Sequence, residues 1–163
     1  MKVDPPTLVE PVRAIAQRAS QRILTIYSAG FSVTQKADRS PLTEADMAAH
    51  ETIVAGLADL DPTIPVLSEE DADIALADRS RWEWLWLVDP LDGTREFIKQ
   101  NDEFCINIAL IHGHEAVFGL ILIPITGVCY FGYRHGGAYK QFPNRSPDAI
   151  CTRRVDKSSS VAT

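Results

Sequence analysis

The segment Trp84–Phe97, WLWLVDPLDGTREF, places two carboxylates three residues apart at the point where an apolar run stops. The run before Asp89 alternates bulky and β-branched residues, which predicts a buried strand. Pro90 fixes its own φ and biases Asp89 toward an extended backbone, so the two aspartates and the carbonyl of Leu91 are directed toward one point. An oxygen-only cluster suits Mg²⁺, which prefers octahedral oxygen ligands. The segment therefore predicts a hard-cation site at the carboxyl end of a strand.

Gly93 and Thr94 follow this cluster and are expected to open a helix. The free backbone N–H groups and the positive dipole end of a helix would receive an anion. A metal ion and a phosphate group would then meet at one place.

Two other interpretations of the segment remain open. Aspartates and a glycine after a strand are also typical of an ordinary turn. A calcium loop of the EF-hand type fits less well, because with Asp89 as its first position the glycine required at the sixth position is replaced by Thr94. The tryptophans at 82, 84 and 86 are expected to pack in the core rather than to form a base-stacking surface.

Two further segments carry acidic residues. The first, Val66–Asp71 (VLSEED), is explained locally by a solvated loop, but a carboxylate from a neighbouring strand end could complete a magnesium site and bridge two ions. The second, Lys36–Asp46 (KADRSPLTEAD), precedes an apolar helical pattern. Within it, Thr43 and Asp46 resemble a capping box, which is a sufficient structural explanation for both residues.

Periodicity predicts an α+β fold for the rest of the chain. An apolar stripe from Leu8 to Ile26 indicates a first helix that ends at Gly30, and residues 43–60 indicate a second. Apolar runs at residues 104–111, 116–123, 128–133 and 137–141 predict the strands of an antiparallel sheet. We expect one domain over residues 1–150, followed by a disordered polar tail at 151–163.

The 163 residues include 16 basic and 22 acidic side chains, for a net charge of −6. This charge disfavours nucleic-acid polymers as partners and repels phosphorylated substrates unless metal ions reverse the local field. The sequence shows no signal peptide or transmembrane segment. The three cysteines are odd in number and form no C-x-x-C motif, so disulfides and zinc are disfavoured and a cytoplasmic location is predicted.

Three motifs follow one another along the chain: Lys36–Asp46, Val66–Glu70 and Trp86–Lys99. In this order they resemble the signatures of the magnesium-dependent, lithium-sensitive phosphatases of the inositol monophosphatase superfamily. The continuation Asn101–Ile111 is more similar to the 3′(2′),5′-bisphosphate nucleotidase branch than to the inositol phosphatases. This resemblance implies a hydrolase that removes the 3′-phosphate of adenosine 3′,5′-bisphosphate to give AMP. Inositol phosphate and related sugar phosphates are the alternative substrates.

The resemblance also implies a role for each matching residue. Mg²⁺ would be held by Glu69, Asp89, Asp92 and the backbone carbonyl of Leu91. Asp46 and Thr94, together with Glu69, would orient and activate the attacking water. The remaining candidates are Gly93 and Thr94 for the reacting phosphate, Lys36, Arg95 and Lys99 for a second phosphate, and Glu70 as support for the metal ligands. An exposed, solvating role is equally open for the three basic residues.

The resembled family has a second, C-terminal α/β half that supplies a further aspartate from a Trp-Asp-x-Ala motif, and no Trp-Asp dipeptide occurs here. The resemblance therefore implies that the chain is the first half of a layered, sugar-phosphatase-type fold. A non-catalytic interaction module is the rival class of function. In either case, the surface that would meet the second half is expected to be exposed and to favour self-association.

Overall fold

The computed structural model of the protein describes residues 3–35, 41–70 and 79–153. The helices within these residues are α1 (Pro5–Ala29), α2 (Glu44–Leu60) and α3 (Thr94–Lys99). The strands are β1 (Val33–Gln35), β2 (Pro41–Thr43), β3 (Val66–Ser68), β4 (Trp84–Asp92), β5 (Cys105–His112), β6 (Glu115–Ile123), β7 (Val128–Tyr133), β8 (Gly137–Gln141) and β9 (Asp148–Ile150). In this part of the chain, β1 pairs with β2, and β3 to β9 form one sheet in chain order. The predicted α+β class is confirmed.

The sheet is mixed, which corrects the prediction of a purely antiparallel one. Strands β4 to β9 are antiparallel neighbours, but β3 runs parallel to β4. Parallel neighbours need a long crossover connection, and residues 69–83 supply enough chain for one. Because β3 and β4 run in the same direction, both deliver their carboxyl ends to the same edge of the sheet.

Both long helices form where the apolar periodicity predicts them. Helix α1 carries Pro5 in its first turn, where a missing N–H costs nothing, and ends before Gly30 at φ 88°. Helix α2 begins after Thr43, which is its N-cap and forms a complete capping box with Asp46. The two helices approach closely at Gly56, where a Cβ atom would lie 2.8 Å from Cγ1 of Ile15.

Helices α1 and α2 cover one face of the sheet and form the core with it. Trp86 is fully buried there, with its ring edge-on to Phe118 at 6.3 Å, and Trp84 packs at the border of the same core. The core role expected for these tryptophans is therefore confirmed for Trp84 and Trp86, and for Trp82, which is half-buried before β4, it stays a prediction. The other face, which we call the open face, exposes 45% of Leu87 and 43% of Ile121.

Parts of the prediction concern residues outside the described ranges. Lys36 and residues 154–163 of the polar tail lie there. Cys151–Arg153 follow β9 without helix or strand, and the domain boundary at residue 150 stays a prediction. No helix in the described ranges is long and apolar enough to cross a membrane.

Candidate metal and phosphate site

A β-bulge in β4 brings both aspartates of the central motif to the same face of the sheet. Residues three positions apart on a regular strand point to opposite faces. Here Asp89 pairs with Asn107 and Asp92 pairs with Cys105, so three steps on β4 match two steps on β5. The extra residue of the bulge restores the two aspartates to one face. Pro90 lies inside the bulge, a position at which proline is tolerated.

Glu69 reaches this cluster from the neighbouring strand. Ser68, the last residue of β3, lies opposite Val88 in the parallel register. The backbone N–H of Glu69 donates to the carbonyl of Val88 at 2.9 Å, which extends the pairing by one residue. The carboxyl groups of Glu69 and Asp89 are therefore in hydrogen-bond contact.

Burial, together with the neighbouring carboxyl groups, raises the pKa of Asp89 to about 7. Burial is the largest cause, followed by the negative charges of Glu69 and Asp92 and by the hydrogen bond with Glu69. The backbone N–H of Leu91 donates to Asp89 Oδ1 at 3.2 Å and opposes the rise in pKa. A divalent cation among these carboxylates would displace the proton that Asp89 and Glu69 share in their hydrogen bond. It would also offset the repulsion between the negative charges.

Asp92 is held by two groups from β5 that the sequence analysis did not assign. Nδ2 of Asn107 donates to Asp92 Oδ2 at 2.9 Å, and the thiol of Cys105 lies 3.9 Å from the same oxygen. Burial, together with the charges of Asp92 and Asp89, raises the pKa of the Cys105 thiol to about 11. A signal was present in the sequence, because Cys105 and Asn107 alternate with buried isoleucines and must face away from the core.

Asp46 is 1% exposed and uses its two carboxylate oxygens for different partners. Oδ2 accepts hydrogen bonds from the backbone N–H of Thr43, at 2.7 Å, and from its hydroxyl. Oδ1 accepts a hydrogen bond from the hydroxyl of Thr94 at 3.0 Å. The structural explanation of Asp46 as a capping residue and its predicted pairing with Thr94 therefore hold together.

The hydroxyl of Thr94 lies between two acceptors, since it is also 3.2 Å from the carbonyl oxygen of Leu91. A hydroxyl carries one proton and two lone pairs. When Thr94 donates to Asp46, its oxygen can accept a hydrogen bond from a third group, such as a water molecule. This arrangement is suited to orienting a water beside the carboxylate cluster.

Gly93 joins the cluster to α3 in a conformation that a side chain would disrupt. Its φ of 98° lies in the left-handed region, and a Cβ atom would lie 2.7 Å from the carbonyl oxygen of Glu103. Helix α3, which Gly93 caps, has six residues. Its first backbone bond runs from the N–H of Phe97 to the carbonyl of Gly93 at 2.9 Å.

An aromatic cluster fixes α3 on the body of the protein. The ring of Phe97 lies 4.9 Å from Tyr27, 4.6 Å from Phe31 and 5.2 Å from Phe104, between ring centroids. The hydroxyl of Tyr27 donates to Asp102 Oδ1 at 2.8 Å, which ties the loop after α3 to α1. Thr94 therefore stands on a helix that is anchored to the first helix of the chain.

His50 and Ser68 form a second contact that the sequence analysis did not assign. Nδ1 of His50, on α2, lies 2.9 Å from Oγ of Ser68, which is 3% exposed and immediately precedes Glu69. The backbone N–H of Glu70 donates to the same hydroxyl at 3.4 Å. The pair therefore links α2 to the turn that presents Glu69, and Glu70 is half-buried beside it.

Two of the three basic candidates, Arg95 and Lys99, lie on α3. Arg95 is exposed on α3, directly after Thr94. Lys99 is also exposed, and its Nζ lies 3.6 Å from Oε1 of Glu96, so its observed partner is on its own helix. Lys36 lies outside the described residues.

The donor set fits a hard divalent cation. No three His, Cys, Asp or Glu side chains in the described ranges form a ready-made metal cage. Mg²⁺ does not need one, since it keeps several waters and binds through one or two carboxylates. The donors of Glu69, Asp89, Asp92 and Leu91 are all oxygens, which suit a hard cation better than a soft one.

The sequence profile of the inositol monophosphatase family matches residues 5–162, and the chain belongs to this family. The chain is 45% identical over 136 residues to the 3′(2′),5′-bisphosphate nucleotidase CysQ of Salmonella typhimurium, a match that covers 82% of this chain and 54% of that protein. The CysQ protein of Haemophilus influenzae is 34% identical, with 82% and 50% covered. The chain thus spans about half the length of the curated relatives it matches.

Solved structures agree with this assignment. The crystal structure of CysQ from Bacteroides thetaiotaomicron, described as a bacterial member of the inositol monophosphatase family, superposes with a TM-score of 0.73 at 36% identity. The superposition covers 92% of this chain and 59% of the CysQ chain. An IMPase of Thermotoga maritima superposes with a TM-score of 0.76 at 21% identity, covering 94% and 56%, and shows the shared fold.

Proposed function

We propose that this chain carries the metal-binding part of a magnesium-dependent phosphatase. The observation that supports the proposal is the gathering of Glu69, Asp89 and Asp92 beside a Thr94 hydroxyl that Asp46 holds. These groups come from two adjacent strand ends and two helices. An ordinary turn, the alternative explanation of the central motif, would not require a carboxyl group with a pKa raised to about 7.

Each residue has a definite role in the proposed reaction. Glu69, Asp89, Asp92 and the carbonyl of Leu91 would hold Mg²⁺, which as a Lewis acid stabilises the charge that develops on phosphate oxygens. Thr94, donating to Asp46, accepts a hydrogen bond from the attacking water and fixes its direction. The backbone N–H groups of Gly93 and Thr94 bind oxygens of the reacting phosphate. In this scheme Glu69 also aims the water.

For the substrate we propose adenosine 3′,5′-bisphosphate, with AMP and phosphate as products. The support is the activity for which the CysQ relatives are named, 3′(2′),5′-bisphosphate nucleotidase, at 34% and 45% identity in the two cases given above. Inositol 1-phosphate is the alternative substrate, since inositol monophosphatases share the fold. Lys36 and Arg95 are the proposed contacts of the second phosphate. The net charge of −6 disfavours a nucleic-acid polymer, and a small phosphorylated substrate would need the metal ion to offset this charge.

A substrate panel tests this proposal. Phosphate release is measured for the 163-residue chain and for Salmonella CysQ as a reference, with and without Mg²⁺, on adenosine 3′,5′-bisphosphate and inositol 1-phosphate. We expect Mg²⁺-dependent release from the nucleotide by CysQ and little release by the 163-residue chain, which lacks the aspartate that the second half of the family supplies. Any release by the chain should be lost in Asp92→Asn, which keeps the shape of the side chain and removes its charge. Faster turnover of inositol 1-phosphate would overturn the substrate. Release from neither substrate would favour the non-catalytic alternative.

We also propose that the isolated chain self-associates through the open face. Leu87, Ile121 and Ile150 are 45%, 43% and 41% exposed, and all three line one apolar groove across the sheet. Adjacent exposed apolar side chains favour association. Sedimentation velocity of the wild type and of Ile121→Lys tests this, with a monomeric wild type as the contrary result.

A further inference from the structure

Asn107, on β5, lies opposite the carboxylate cluster, and none of the roles proposed above includes it. It pairs with Asp89 across the β4–β5 ladder. Its Nδ2 donates to Asp92 Oδ2 at 2.9 Å. Its Oδ1 lies 3.6 Å from the thiol of Cys105, which therefore fixes the direction of the amide. Both ends of the Asn107 side chain are thus committed.

The surroundings of Asn107 show what this hydrogen bond opposes. Asp92 is an exposed residue at the end of a bulged strand, and the negative charges of Asp89 and Glu69 lie on the same side. Repulsion drives an unrestrained carboxylate to rotate away from its neighbours. The amide of Asn107 holds Oδ2 in place against this repulsion. A carboxylate held through Oδ2 can still bind a cation through Oδ1.

Packing of the strand does not by itself call for an amide at this position. The neighbours Ile106 and Ile108 are buried in the core, whereas Asn107 faces the groove of the open face. The next residue on that face, Ala109, is apolar, as are the side chains of Leu87 and Ile121 that line the same groove. An apolar residue at 107 would therefore suit the local packing.

We propose that Asn107 is a positioning residue that fixes the Asp92 carboxylate in the orientation required for cation binding. This inference rests on the proposed function. Groups that hydrogen-bond to a metal ligand typically change metal affinity or activity by about 10- to 100-fold when they are removed. We expect a lower affinity for the cation and an unchanged affinity for the nucleotide, because Asn107 acts through Asp92.

Mn²⁺ binding to the 163-residue chain, followed by the electron paramagnetic resonance signal of free Mn²⁺, tests the inference without an activity assay. Asn107→Leu keeps the size of the side chain and removes the donor, and Asn107→Gln keeps the amide. Ala109→Leu is the matched control, since it places the same new side chain on the same face two residues further from Asp92. Thermal unfolding of each variant, with EDTA, shows whether it folds.

We expect Asn107→Leu to raise the Kd for Mn²⁺ by about 10- to 100-fold, Asn107→Gln to raise it less, and Ala109→Leu to leave it within a factor of two. In the phosphate-release assay, Asn107→Leu should need correspondingly more Mg²⁺, with an unchanged KM for the nucleotide at saturating metal. An unchanged Kd in Asn107→Leu, or an equal loss in Ala109→Leu, would overturn the positioning role while leaving the metal site intact. Failure of the wild type to bind Mn²⁺ would overturn the metal site itself and the role of Asn107 with it.

Discussion

Replacement of Asp89 by asparagine should stabilise the metal-free protein while removing its affinity for divalent cations. The asparagine side chain can accept the hydrogen bond from the N–H of Leu91, as Asp89 does, but carries no charge. The pKa of Asp89 rises from its ordinary value of 3.8 to about 7. A rise of this size corresponds to about 4 kcal/mol of lost stability above pH 7, and because Asp89 is only half-buried, solvent screening reduces this to about 1–2 kcal/mol.

The pH dependence has a definite sign. The folded state binds the Asp89 proton more tightly than the unfolded state, so the stability from this group is complete below about pH 4. It is lost as the pH rises toward 7. The stability advantage of Asp89→Asn should therefore be small at pH 4.5 and complete at pH 8.

Urea unfolding in EDTA, followed by tryptophan fluorescence, measures this difference at both pH values. Asp148→Asn, at an exposed position on β9, is the control and should change stability by less than about 0.5 kcal/mol. Addition of Mg²⁺ should stabilise the wild type and leave Asp89→Asn unchanged. If Asp89→Asn were less stable than the wild type at pH 8, or if the gap were the same at both pH values, the half-buried Asp89 carboxylate and its acidic neighbours would not destabilise the metal-free protein.

Three other measurements address separate parts of the site. Gly93→Ala should lose about 1–3 kcal/mol in urea unfolding, because the new Cβ meets the Glu103 carbonyl at positive φ; wild-type stability would contradict the required conformation. Thr43→Ala should lose about 1–2 kcal/mol and Thr43→Ser much less, since the hydroxyl caps α2, and equal losses would assign the effect to the methyl group instead. Finally, the association constant for Mn²⁺ should rise by up to about tenfold per pH unit between pH 5 and 7 and then level off, because the cation displaces the Asp89 proton; a flat profile would exclude that exchange.

The elements of the fold that follow simple periodicity could be predicted from the sequence. The stripe of α1, the capping box of α2 and the hairpin of β5 and β6 each depend on contacts a few residues apart. The parallel pairing of β3 with β4 could not be predicted, because the register of a strand with a distant neighbour leaves no mark on either segment. The short pair of β1 and β2 was missed for a similar reason, since three residues carry no measurable alternation.

The site shows the same division. Asp89, Asp92 and Thr94 were recognisable because proline and glycine constrain the backbone around them. The alternation of β5 indicates the face on which Asn107 lies, but its pairing with Asp92 could not be predicted, since a bulge changes the register at Asp92. For Asp46, the local explanation and the long-range one seemed to compete, and the structure shows that each uses a different oxygen of the same carboxylate.

Because of the bulge in β4, one ligand of the proposed cation site does not depend on the type of side chain at its position. Two aspartates placed two positions apart on a regular strand would share a face as well, but the carbonyl between them would then be committed to the ladder. The bulge leaves the carbonyl of Leu91 unpaired with β5 and turned toward Thr94. This oxygen belongs to the backbone, whereas the side chain of Leu91 is 2% exposed and packs in the core. The side chain at position 91 is therefore constrained by core packing and not by cation binding. Replacement of Leu91 by another apolar residue would therefore leave the coordinating carbonyl in place. An insertion or deletion in the motif would displace it.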